Sequence, residues 1–324
     1  MFSQLNEDYG IKDQGILDTY LGVQVEHGDG SMKIHQAQYC EQILEKFGFD
    51  EAHPSRIPME TNLRLMVNDT DTATRKQEPA NGKAFPYREL VGSLMYLATC
   101  TRPDLAFAVG QLSRYVQCPT QQHIGAAKRV LRYLVGTKTQ GIMYTRDVRE
   151  QQSSTLLIDG FCDSDWENDP DTRKSVTGYV HCLAGGAISW ASRCQSIVAQ
   201  STAEAEYVAA CEACMEGQGL RNVLIEVFPE MKTQLRQCID NQAAFVMATN
   251  PTYSRRTRHI ELRWHYVRDQ IAKKTVELWK VKTDDNPSDM MTKTLASERF
   301  EALGKMIGLT KDHVPKKLSS EGAC

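Results

Sequence analysis

The order of apolar patterns along the chain predicts an α/β protein, with a mixed five-stranded sheet and helices in the second half and a smaller helical and hairpin region before it. Three observations carry that prediction. Three strand-like segments follow one another after residue 154, and the rest of the chain alternates helix, strand, helices, strand and helix. Polar, turn-rich breaks at 68–86 and 150–154 set this part off from what precedes it. The 324 residues, 41% of them hydrophobic, are ample for a buried core.

The elements follow in order. Thr19 to Gln36 reads as a hairpin, Tyr20 to Val25 and Met32 to Ile34 around the turn Gly28-Asp29-Gly30. Tyr39, Ile43, Leu44 and Phe47 keep helical spacing until Gly48 ends the helix. Beyond the linker, Tyr87 to Cys100 and Pro103 to Cys118 read as helices split by Thr101-Arg102-Pro103-Asp104. Gln121 to Val135 is a third, stopped by Gly136. Leu90, Leu94, Leu97, Leu105, Val109, Leu112 and Val116 are their inward stripes. In the second half Thr155 to Asp163 is strand-like, and Val176 to Leu183 and Ala187 to Ser192 pair around Ala184-Gly185-Gly186. A long helix runs from Ser201 to about Val227, a short strand from Gln237 to Asp240 and a helix from Asn241 to Thr249. A basic helix over Arg256 to Lys273, a strand from Val276 to Lys282 and a last helix from Pro287 to Ile307 complete the pattern. The domains are thus expected at 1–66 (hairpin and helix), 87–150 (helical) and 155–310 (α/β), with a linker at 67–86 and a disordered tail at 311–324.

Composition excludes several classes. A net charge of −3 rules out a protein that grips nucleic acid through its overall balance, so such binding requires a local basic patch. No run of about 18 apolar residues exists to span a bilayer, and Met1 to Asp8 lacks the regions of a signal peptide, so an intracellular protein without a membrane partner is expected. Ten cysteines are too sparse for a disulfide scaffold. The Cys211 and Cys214 pair has no second pair or nearby His and reads as a core helix face rather than a zinc site.

Four acidic residues fall where strand ends and helix starts converge on one rim of a sheet: Asp163, Glu206, Asp240 and Asp289. Such a crowd repels itself unless cations occupy it or protons neutralise part of it. Hard Mg²⁺ is the natural partner, and two ions about 3.5–4 Å apart would activate a water and stabilise the leaving oxygen of a phosphodiester. Asp165 shares a strand face with Asp163, and pattern leaves both open. Ser201-Thr202-Ala203-Glu204 reads as a capping box in which Glu204 reaches back to the Ser201 amide, leaving Glu206 for a metal. Across 255–274, Arg255, Arg256, Arg258, Arg263, Arg268, Lys273 and Lys274 outweigh Glu261 and Asp269, while Ile260, Trp264, Val267 and Ile271 share one face. The charges line the other faces, where duplex phosphates would be held. His259 and His265 read as surface or partly buried histidines rather than proton shuttles.

The second half resembles the ribonuclease H domain of copia (Ty1) class retrotransposon polyproteins. The resemblance is carried by Gly160-Phe161-Cys162-Asp163-Ser164-Asp165-Trp166, Arg173-Lys174-Ser175-Val176-Thr177-Gly178-Tyr179, Gly185-Gly186-Ala187-Ile188-Ser189-Trp190, Ser201-Thr202-Ala203-Glu204-Ala205-Glu206-Tyr207, Asp240-Asn241-Gln242, Arg256-Thr257-Arg258-His259-Ile260 and Asp289-Met290-Met291-Thr292-Lys293. The first half resembles the part of a copia reverse transcriptase that follows its polymerase site, through Tyr20-Leu21-Gly22-Val23-Gln24-Val25, Tyr87-Arg88-Glu89-Leu90-Val91-Gly92-Ser93-Leu94-Met95-Tyr96-Leu97 and Thr101-Arg102-Pro103-Asp104-Leu105.

The resemblance implies a ribonuclease H-like sheet, hydrolysis of the RNA strand of RNA–DNA hybrids, and two Mg²⁺ ions (Mn²⁺ the substitute) on Asp163, Glu206, Asp240 and Asp289. Asp163 is favoured over Asp165. It also implies the rest of a retroelement polyprotein as partner and a place in cytoplasmic virus-like particles or the nucleus; the contacts to the hybrid are expected from Lys174, near the first hairpin, and from Arg255, Arg256, Arg258 and Arg263 of the basic segment. Two departures matter. The Tyr-x-Asp-Asp polymerase signature is absent, and Asp284-Asp285 reads as a turn, so DNA synthesis by this chain alone is not expected. The loop Val281 to Pro287 lacks the His that assists product release in many ribonucleases H. The alternative expectation is a non-catalytic, nucleic-acid-binding remnant of a truncated polyprotein.

Overall fold

Alternating apolar side chains make strands, and the chain uses them in two separate sheets. The computed structural model describes residues 15–67, 85–145, 155–250 and 265–314. The first sheet is antiparallel, in the order β1 (Thr19–Tyr20), β2 (Val23–His27), β3 (Ser31–His35), β4 (Gly141–Thr145) and β10 (Leu309–Thr310). The β2–β3 turn uses Gly30 at φ +69°, a left-handed conformation free of strain only without a Cβ. Helix α1 (Ala37–Phe47) ends at Gly48 in the same conformation. Strand β4 departs from the expected all-helical 87–150 region, and β10 follows the second half in sequence yet closes the sheet of the first half.

Helices α2 (Tyr87–Cys100), α3 (Ala106–Ser113) and α4 (Gln121–Val135) bury the leucine stripes read from the sequence. The second of them stops at Ser113 rather than Cys118. Arg114 leaves the helix to pair with Asp169, and the Tyr115 hydroxyl donates to the Leu65 carbonyl at 2.7 Å. Between α2 and α3, the fully buried Arg102 donates to Asp104 at 2.7 Å and to the Thr137 carbonyl at 3.1 Å. Tyr133 also donates to Asp104, at 2.8 Å. A buried ion pair is tolerable on these terms, with further hydrogen bonds meeting both partners.

The second sheet has the order β7 (Gly186–Cys194), β6 (Val176–Leu183), β5 (Thr155–Asp165), β8 (Lys232–Ile239) and β9 (Val276–Lys280). β5, β6 and β7 are antiparallel to one another, while β8 runs parallel to β5 and β9 parallel to β8. This is the ribonuclease H-like mixed sheet. On one face lie α5 (Thr202–Val227), α6 (Gln242–Thr249) and α7 (Tyr266–Ala272), around Ile158, Tyr207, Cys211, Cys214, Leu235 and Ile239. On the other, Val176, Val180 and Cys182 join Leu90, Leu94, Leu112 and Leu131 of the helical region in one continuous core.

Two further element boundaries differ from expectation. β8 begins at Lys232, five residues before the expected strand, because Thr233, Gln234 and Arg236 interrupt its apolar pattern. The last helix is broken into a 3-10 turn (Pro287–Met291) and α8 (Ser297–Met306), because Asp289 and Thr292 turn inward to the second sheet. Of the expected basic helix, residues 265–273 are described, and they are helical over Tyr266–Ala272. Arg255, Arg256, Arg258, Arg263 and His259 lie outside the described residues. Among the described residues, no helix is long and apolar enough to cross a membrane.

Candidate active site

Asp163 stands near the end of β5 and is 2% exposed. Asp240 follows β8, the parallel neighbour of β5, so the two carboxylates leave adjacent strands at the same edge. Asp289, 1% exposed, hangs from the 3-10 turn laid across that edge. One carboxylate oxygen from each of these three lies within 4.8 Å of the other two. Glu206 projects from the second turn of α5 and is buried beside them, its Oε2 without a hydrogen-bond partner.

Helix α5 aims Glu206 because its start is fixed. The Ser201 hydroxyl accepts from the Glu204 amide at 3.2 Å, as expected of an N-cap. The Glu204 carboxylate accepts from the Gln200 amide at 2.8 Å, one residue before the N-cap. Glu204 therefore serves the helix start, one step displaced from the capping box.

The electrostatics follow from burial. Burial first, then the Asp163 and Asp240 charges, push the Glu206 carboxyl well above the usual range. Asp240 is raised by burial and by Asp163. Asp289 is raised by burial and by Asp163, with Lys293 and Arg299 pulling the other way. Burial opposes the charge on Lys293, yet Asp163 and Asp289 hold its ammonium above the ordinary lysine value. Every donor the cluster offers is a carboxylate oxygen, and two of them, Glu206 Oε2 and Asp289 Oδ1, are buried without a hydrogen-bond partner, the second ion-paired with Lys293. That set fits a hard divalent cation, and the buried triad is compatible with divalent metal binding.

Other residues read from the sequence fall around this cluster. Asp165 is half-buried and accepts from the Asn168 amide at 2.5 Å, outside the triad. Lys174 lies half-buried in the loop leading into β6, its carbonyl accepting from the Asp169 amide at 3.1 Å. Asp284 and Asp285 form an exposed 3-10 turn. His265 shares a 3.0 Å hydrogen bond with the Tyr207 hydroxyl.

Several residues that shape the site were not singled out in the sequence. Thr292 donates its hydroxyl to Asp163 Oδ2. Lys293 Nζ stands 3.2 Å from Asp163 and 3.0 Å from Asp289, and Arg299 stands 2.5 Å from Asp289. The fully buried Asn286 donates to the Cys162 carbonyl at 3.0 Å, pinning the 3-10 turn to β5. Gly178, opposite Asp163 on β6, gives that turn room. A Cβ there would lie 2.6 Å from Thr292 Cγ2 and 2.7 Å from Met291 Cβ. Thr292, Lys293 and Gly178 do stand within the quoted motifs. Their spacing carries no chemistry of its own until the broken helix folds them inward.

A sheet of this order with carboxylates gathered at its edge belongs to the ribonuclease H-like fold class. The chain is a homologue of the retrovirus-related Pol polyproteins of copia-type transposons, which match most of its length. The polyprotein from transposon TNT 1-94 of Nicotiana tabacum is 37% identical over 307 residues, 94% of this chain and 22% of that protein. The one from transposon RE2 of Arabidopsis thaliana is 32% identical over 307 residues, 95% of this chain and 20% of that protein. The chain thus spans about a fifth of the length of these curated relatives. Among solved structures, LC11-RNase H1 isolated from compost aligns with a TM-score of 0.27 at 12% identity, over 46% of this chain and 97% of that one. No family model matches the chain.

Proposed function

We propose that this chain is the ribonuclease H portion of a copia-type Pol polyprotein and hydrolyses the RNA strand of RNA–DNA hybrids. The observation that carries the reading is the buried meeting of Asp163, Asp240 and Asp289, drawn from a strand, a strand end and a 3-10 turn, with Glu206 beside them. Carboxylates so crowded are stable only when protons or cations balance them.

Asp163, Glu206, Asp240 and Asp289 would hold Mg²⁺, in two ions, with Mn²⁺ as substitute. When bound, the metal supplies a nucleophilic hydroxide at neutral pH and stabilisation of the leaving oxygen. The chain supplies placement. Asn286 and Thr292 fix Asp289 and Asp163, and the N-cap of α5 aims Glu206. Lys174 and the basic segment with Arg255, Arg256, Arg258 and Arg263 would contact the phosphates. Contact through phosphates, 2′-hydroxyls and duplex shape predicts little sequence preference.

The test is cleavage of a labelled RNA–DNA hybrid in Mg²⁺ by the parent chain and by Asp240→Asn. Cutting of the RNA strand by the parent and its reduction to background in the variant are expected. Equal cutting by both, or binding without cutting by the parent, rejects the reading, and the latter outcome marks a binding remnant.

A further inference from the structure

The acidic cluster is not evenly balanced. Lys293 Nζ bridges Asp163 Oδ2 at 3.2 Å and Asp289 Oδ1 at 3.0 Å. Its backbone N–H donates to the Asp289 carbonyl at 3.2 Å, so the ammonium is tethered one turn beyond the carboxylate it meets. Arg299 takes the other Asp289 oxygen at 2.5 Å, and Thr292 donates to Asp163 Oδ2. Both oxygens of Asp289 therefore face protein cations. Among the described residues, Glu206 and Asp240 have no ion-pair partner. The chain's own cations thus meet Asp163 and Asp289 directly and, among the described residues, leave Glu206 and Asp240 without an ion pair.

We propose that Lys293 is a tethered cation that holds Asp163 and Asp289 together and competes with a divalent ion for that pair. The inference rests on the proposal that the carboxylates hold metal, and it adds an order of filling. Without nucleic acid, one Mg²⁺ or Mn²⁺ enters on the Glu206 and Asp240 side. A second enters only as the ammonium withdraws, since two cations cannot share the pair without strong repulsion. Lys293 is a positioning residue in this scheme.

The experiment is calorimetric titration of the whole chain with MgCl₂ and MnCl₂, comparing the parent with Lys293→Met, which keeps the stem, and Lys293→Arg, which keeps the charge. The parent and Lys293→Arg are expected to take up one ion. Lys293→Met is expected to take up a second ion, bound at least about tenfold more tightly than in the parent. Melting in EDTA gives an independent readout: Lys293→Met should melt a few degrees lower, and Mg²⁺ should restore it. A Met variant that folds only with Mg²⁺ supports the inference equally. Identical stoichiometry and affinity in the parent and Lys293→Met overturns it, as does a Met variant that stays unfolded in Mg²⁺. Absence of any ion uptake by the parent overturns the metal-binding proposal as well, which keeps the two failures distinguishable.

Discussion

Gly178 has no side chain, and that absence lets the turn carrying Asp289 settle against the sheet. A methyl group there must displace Thr292 and Met291, both of which sit beside the carboxylates. Gly178→Ala should cost about 1–3 kcal/mol of stability, the usual range for overpacking. It should also lower hybrid cleavage more than a remote substitution of equal cost; unchanged melting and unchanged cleavage would show that the turn can move freely. His181 offers a second check. It is fully buried, packed against Gly160 and Gly217 beside Gln237, and burial pulls its pKa from 6.5 to about 4. The native state therefore holds it neutral while the unfolded chain takes a proton below 6.5, so stability falls as pH drops from about 6.5 to about 4. The loss approaches about 3 kcal/mol at the acid end. Denaturant midpoints across that window should fall in the parent, with a shallower slope in His181→Leu; parallel slopes would refute the assignment. At this scale much of the site was legible: Asp163, Asp240 and Asp289 were placed from strand ends and helix starts. Lys293 and Thr292 were not, because in a continuous helix neither has reason to face the sheet.

Elements were readable where their periodicity was unbroken. Tyr87–Cys100 and Gln121–Val135 stand where their spacing put them, each with a clean apolar stripe, and Val176–Leu183 does so as a strand buried on both faces. β4 was invisible in the sequence, since Gly141-Ile142-Met143-Tyr144-Thr145 is too short to register and becomes a strand only by pairing with β3 and β10. The broken last helix shows tertiary contacts overruling local preference: the Asn286 and Thr292 hydrogen bonds to β5 outweigh the turns that a continuous helix would have kept. Arg114 ends α3 for the same kind of reason, trading further helix for contact with Asp169.

For the whole molecule, the shared core is the governing fact. Val176, Val180, Met290 and Phe300 of the second half pack in one cluster with Leu90, Leu94 and Leu131 of the first half. Heat should therefore unfold the described chain in a single transition, with calorimetric and van't Hoff enthalpies in agreement. Two resolved transitions would show that the halves are independent. The return of β10 to the first sheet adds a constraint in time. Residues 146–308 separate β4 from β10, a stretch that a ribosome adds in roughly ten to thirty seconds at about 5–20 residues per second. Throughout that interval the outer side of β4 lacks β10, so the first sheet, begun before the second, is closed only after it.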